Sequence, residues 1–304
     1  MHYVPADECQ VLIRYLGNPY QISEYRRAML TAHQELGLSP QSHDEVYSAD
    51  IQWLWNYILP VLGPLERDTL EPLDATVLPL RDLGAISLVS PNGQRLLVID
   101  HGLFRILPLG PYLAALDYMP PDNQILIDAC CQRIWEIFGT LVAETGSLSL
   151  FPADLPIPND VAVRIQRAGE ALATTQLLFV VCHELAHFLQ GDVSASIGIK
   201  FSAEVEFQAD AKGYALAHRA FPKLAAYGTT VFFTVLDHWI GTCSALARMG
   251  LALEPFHSET HPNPKKRLSR LRETSAMPLF DDSPMLLMMA KIAERRRDLD
   301  RRLQ

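Results

Sequence analysis

Apolar and polar positions along this chain repeat on two different periods. From 21 to 36 and from 44 to 59 the apolar and aromatic residues return every three or four positions, the spacing that gathers them on one side of a helix. Gly37, Pro40 and Pro60 are the breaks, and Pro60, Gly63, Pro64, Pro72 and Pro79 punctuate a connection out of this helical N-terminal region. The period shortens at Thr76. The runs TVLPL, AISLV and RLLVI are short and rich in branched residues, and Pro91-Asn92-Gly93 between the last two predicts a β-hairpin in a small sheet. Gly102 and the prolines at 108 and 111 close that sheet, after which 124–144 returns to helical spacing. A proline-rich loop at 151–158 leads into a long helix from about 160 to 190, which Gly191 ends because it is free to take positive φ. Gly198 marks the next loop, and Ser202 is placed to cap a helix reaching about 220. The pattern predicts a mainly helical α+β chain: an N-terminal helical region over 1–75, a central domain over 76–275 and a charged helix over 276–304.

The long helix carries the chemistry. Its last stretch reads LLFVVCHELAHFLQGD from 177 to 192, with His183, Glu184 and His187 inside an apolar run. A helix turns about 100° per residue, so His183 and His187 stand one turn apart on the same side and can grip one ion. Glu184 sits a third of a turn round, in a place suited to a general base acting on a water at that ion. H-E-x-x-H on a helix is the signature of zinc metallopeptidases. By chance alone the five letters arise in about one protein of this length in a hundred.

A catalytic zinc takes three protein ligands and keeps one position open. A third histidine six residues after His187 is ruled out, because that position is Val193. On the next helix the segment EFQAD sets Glu206 and Asp210 one turn apart, nineteen residues past His187. Glu206 is the expected third ligand, and Asp210 is expected to reach the second nitrogen of a histidine and fix its tautomer. Glu204 competes for the ligand role, but four residues on it meets Gln208 rather than an acid.

The order HELAH at 183–187, EFQAD at 206–210 and HPNPKKR at 261–267 resembles the gluzincin layout of HExxH, ExxxD and a later HPxxxxR. It is similar to that of the CAAX prenyl protease and heat-shock membrane metallopeptidase group, and to that of the phage-exclusion Lit-type peptidases. The segment SPNGQRLLVIDHGL, 90–103, resembles the strand-turn-strand of the first group, so the likeness spans roughly 86–271. It implies a zincin-like metallopeptidase core with an HExxH active-site helix, Zn2+ as cofactor and a protein or peptide substrate. It also implies Glu184 as catalytic base, His261 as a second catalytic residue that steadies the oxyanion, and Arg267 either as an anchor for that loop or as a partner for a substrate carboxylate. Tyr214 is an additional candidate oxyanion donor, with packing as its ordinary reading. The Lit-like comparison adds an activating protein partner and a role in antiviral defence. Two other readings stand beside it: a zinc scaffold that binds without hydrolysis, and a membrane-associated CAAX-type processing protease.

Composition narrows these. Among 304 residues, 49% are hydrophobic and 20% charged, which is globular usage, and the net charge of −9 argues against a nucleic-acid or anionic-membrane binder. Cys9, Cys130, Cys131, Cys182 and Cys243 form no C-x-x-C pair, which fits a reducing cytoplasm better than a disulfide framework. The N-terminus lacks the basic and apolar segments of a signal peptide. The apolar region 227–253 is interrupted by Asp237, His238 and Arg248 and reads as a buried helix pair, so no stable membrane insertion is expected. Trp53, Trp55 and Tyr57 offer either packing or a partner-binding stripe.

Overall fold

Pro64, which reads as punctuation in the sequence, starts a helix in the structure, a computed structural model. It describes residues 1–5, 9, 40–78, 84–90, 92–106, 109–118, 159–193, 202–248 and 262–275, with scattered positions at 125–132 and 277–290. Helix α1 is described over Pro40–Ile58, and α2, Pro64–Leu70, begins on Pro64 after a 3-10 turn at Leu59–Val61. Proline suits a first helical position, where its fixed φ is helical and its missing N–H has no partner to lose. Glu66 completes the start of α2 by accepting the Gly63 N–H at 2.9 Å.

The described residues pack as two units, Met1–Phe104 with Leu178–Pro222, and Arg105–Leu177 with Lys223–Gln304. The first holds a four-stranded mixed sheet in the order β1-β2-β4-β3, with β1 at His2–Tyr3, β2 at Leu73–Leu78, β3 at Ala85–Val89 and β4 at Arg95–Asp100. The hairpin is as expected: β3 and β4 are antiparallel, and the Ser90 N–H donates to the Gln94 carbonyl at 2.9 Å with Gly93 at φ 83. The other pairings are parallel, β1 to β2 and β2 to β4. Strand β2 starts at Leu73 rather than Thr76, because its pairing with β4 extends back through Leu73 opposite Arg95. Helix α1 packs against β1. It buries Ile51, Leu54, Trp55 and Ile58 at helical spacing, while Trp53 and Tyr57 lie edge-on to each other and remain 39% and 37% exposed.

After β4 the chain forms α3, His101–Ile106, and α4, Leu109–Tyr118, over the stretch where Gly102 and the prolines at 108 and 111 were expected to close the sheet. Helix α5, Asn159–Gln190, passes from the second unit into the first, and α6, Ala203–Ala220, follows it. In the second unit α7, Ala225–Arg248, is one continuous helix where the sequence predicted a pair, and it packs against α8, Pro264–Ser275. Lys265 meets Asp237 at 3.2 Å there. Asp117 ties the unit further, accepting from the Tyr227 hydroxyl, the Ser283 hydroxyl and the Met285 N–H.

By length and composition Val161–Gln190 is apolar enough to cross a membrane, yet 89% of its most apolar window is buried inside the fold, as in a core helix. The helices expected at 21–36 and 124–144, the loop at 151–158, and His257, His261 and the tail at 291–304 lie outside the described residues, apart from isolated helical positions within 124–144.

Candidate metal centre

From Thr175 to Phe188 every residue of α5 is buried, so the polar members of that stretch are packed as core. Three of them are His183, Glu184 and His187. Such burial is costly for a polar group unless each one is met by a partner. For the two histidines, acids of α6 are among those partners. Ser202 caps that helix, its hydroxyl accepting the Val205 N–H at 3.3 Å, and the helical repeat puts Glu206, Asp210, Gly213 and Ala217 on one buried face. Gly213 allows the close approach. A Cβ placed on it would stand 2.7 Å from both the Cα and the N of His183. A glycine inside a helix costs up to about 1 kcal/mol against alanine, and this contact accounts for it.

The result is one cluster. His183 Nε2 lies 3.2 Å from His187 Nε2 and 3.5 Å from Glu206 Oε2, while His187 Nε2 lies 3.8 Å from Glu206 Oε1. The two rings stand at 90° to each other with centroids 4.8 Å apart. Four donors in a tetrahedron about 2.0–2.1 Å from a metal are separated by about 3.3–3.4 Å, close to the spacings seen here. His183, His187 and Glu206 form a buried group that could hold a metal ion, with their donor atoms all within 4.8 Å of one another. Charge points the same way. Glu184, Glu206 and Asp210 are all buried beside the two histidines, and a cation held there would offset the cost of burying them together.

A second set of contacts orients the donors. Asp210 Oδ1 lies 3.0 Å from His183 Nδ1, which turns Nε2 toward the cluster. His187 has a looser counterpart in Asp192, whose Oδ2 is 3.8 Å from Nδ1. The end of α5 brings Asp192 there: Gly191, at φ 73, donates its N–H to the Phe188 carbonyl and Asp192 donates to the His187 carbonyl, the two bonds of a Schellman turn. Burial, and then the neighbouring Glu206 charge, push the Asp192 carboxyl above its ordinary range. Glu184 is held from the sheet: the Ser87 hydroxyl on β3 lies 2.7 Å from Glu184 Oε2 and 2.8 Å from the Glu184 carbonyl. The other carboxylate oxygen, Oε1, is 3.9 Å from His183 Nε2. The sequence reading passed over Asp192 and Ser87. The adjacency of Asp192 to Gly191 was the one available signal, and nothing local marks Ser87, which is 97 positions from its partner.

Glu204 is on the exposed face of α6, within 3.4 Å of Gln208 Nε2. Arg267 belongs to the second unit, buried in α8 with its guanidinium over the Phe233 ring, 5.2 Å from the centroid. Tyr214 is buried with its ring beside His218, and burial raises its phenol above the usual range. Cys182, next to His183, is buried, and burial raises its thiol well above the reactive range.

Comparison of the chain with protein-family models, with curated proteins and with solved structures finds no match. Two imidazoles and a carboxylate could hold an ion in this centre, and a further carboxylate oxygen, Glu184 Oε1, lies 3.9 Å from His183 Nε2.

Proposed function

We propose that the chain is a zinc-dependent endopeptidase that hydrolyses peptide bonds of a protein substrate, with Glu184 as general base. The observation that carries this reading is the placement of Glu184 Oε1, 3.9 Å from His183 Nε2, at the side of a His-His-Glu donor set. A base is useful only within hydrogen-bond reach of the water it deprotonates, and this oxygen is turned toward the cluster. Two histidines and one glutamate are a catalytic zinc set, whereas structural zinc sites are closed by four protein donors.

In this reading His183, His187 and Glu206 hold the ion, and Asp210 and Asp192 orient the two rings. Zinc, when bound, supplies a Lewis acid that acidifies water and polarises a carbonyl. Glu184 takes the proton of the attacking water and later delivers it to the departing amine. Among the described residues β3 is an edge of the sheet, and Ser87 links it directly to Glu184. An extended peptide adding to that edge would be laid alongside the base.

The test is terminal-labelling proteomics of cells expressing wild type or Glu184→Gln. New termini are expected with wild type and absent with the variant, while the variant retains zinc because its three donors are intact. Equal cleavage by the two proteins would reject the mechanism.

A further inference from the structure

The backbone of Ser87 faces away from the sheet while its side chain faces the candidate base. This follows from the hydrogen-bond alternation of an antiparallel pair, in which opposed residues alternately exchange both backbone bonds or neither. The Asp100 N–H donates to the Gly84 carbonyl at 3.0 Å and the Ser90 N–H to the Gln94 carbonyl at 2.9 Å. In the register Ala85 opposite Ile99 and Val89 opposite Arg95, these are pairs of the bonded kind. Residues 84, 86, 88 and 90 therefore turn their amides to β4, and Ala85, Ser87 and Val89 turn theirs outward. Among the described residues no strand pairs with that outer side.

The Ser87 side chain is buried and runs the other way, to Glu184. Its one hydroxyl hydrogen serves two acceptors on the same residue, Oε2 at 2.7 Å and the main-chain carbonyl at 2.8 Å. Glutamate has three rotatable side-chain bonds, and a hydroxyl that touches both its carboxylate and its own carbonyl fixes the one relative to the other. The two carboxylate oxygens are then no longer equivalent: Oε2 is tied to the strand and Oε1 is left on the side of His183 Nε2, 3.9 Å away.

We propose that Ser87 is the positioning residue of the candidate base: its hydroxyl pins Glu184 so that Oε1 meets the attacking water. This rests on the peptidase reading above. The ordinary alternative is a strand-to-helix tie that contributes to stability alone. The two differ in what they predict for turnover.

The experiment compares wild type, Ser87→Ala and Ser87→Thr with denatured casein as substrate, and records kcat, KM, zinc content and thermal midpoint for each. Ser87→Ala is expected to lose about tenfold to hundredfold in kcat with KM nearly unchanged and zinc retained, since misplacing a reacting group by about 1 Å costs that much. Ser87→Thr keeps the hydroxyl and is expected to recover most of the loss. Wild-type kcat in Ser87→Ala, or a Ser87→Thr as slow as Ser87→Ala, would overturn the proposal, as would loss of zinc in Ser87→Ala. A crystal structure of Ser87→Ala separates this from the underlying reading. If wild type cleaves nothing, the peptidase reading fails. Glu184 in its wild-type rotamer in the Ser87→Ala crystal would then overturn the pinning as well, and a displaced carboxylate would support it.

Discussion

Helix α6 carries charge on two sides, and the sides are built in opposite ways. On the inner side Glu206 and Asp210 are buried, and what faces them is a pair of histidines. On the outer side Lys212 and Arg219 meet the single carboxylate of Glu66, at 2.8 and 2.9 Å, with both basic side chains more than a third exposed. Burial by itself would raise the Glu66 carboxyl, but hydrogen bonds from Arg219, Lys212 and the Gly63 N–H outweigh it and hold the carboxyl at about 2, below its ordinary 4.5. The outer cluster is thus complete within the chain, and solvent screens it. The inner cluster has acids that water cannot reach beside two histidines whose Nε2 atoms are 3.2 Å apart, an arrangement that could hold a metal ion. The difference shows why a buried carboxylate is informative about function and an exposed salt bridge is not.

Substitutions on the two sides should therefore differ sharply in effect. The largest is expected at Gly213, where even a methyl group forces α5 and α6 apart at His183. Gly213→Ala should cost about 1–3 kcal/mol of stability, as overpacking does, and should weaken zinc retention on dialysis. A variant as stable and as zinc-rich as wild type would show that the inner face is not packed as described. The smallest effect is expected on the outer side. Arg219→Ala should change stability by less than about 1 kcal/mol, because exposed ion pairs are screened, and should leave zinc content alone. The sign of its pH dependence is fixed: with the folded carboxyl below the unfolded one, the Glu66 contribution is full above pH 4.5 and is lost as pH falls toward 2. Thermal midpoints of wild type and Arg219→Ala should accordingly converge across that interval, and a gap that widens on acidification would contradict the assignment.

Much of the centre was legible because its grammar is local. The spacing of His183, Glu184 and His187, the Ser202 cap and the Gly191 stop all act within a few residues, and the structure places the cap and the stop as expected. Glu206 was separable from Glu204 because one helical turn beyond it lies Asp210. The hairpin was legible from Pro91-Asn92-Gly93 and its flanking strands. What escaped depends on distant pairing or on context. Strand β1 has two residues and exists through its partner β2, and β2 itself is extended by β4. Pro64 has the same chemistry whether it breaks a helix or begins one, and only the capped start of α2 distinguishes the second case. Ser87 carries no mark in its own neighbourhood, since its role is written 97 positions away.

The central claim is that two histidines of α5 and one glutamate of α6 hold a single metal ion. Metal analysis of the purified chain after dialysis, beside Glu206→Ala, tests it most directly. One zinc per chain is expected for wild type and a large loss for the variant, with the variant still folded by circular dichroism. Wild type free of bound metal when supplied with zinc, or Glu206→Ala holding it as firmly as wild type, would contradict the account.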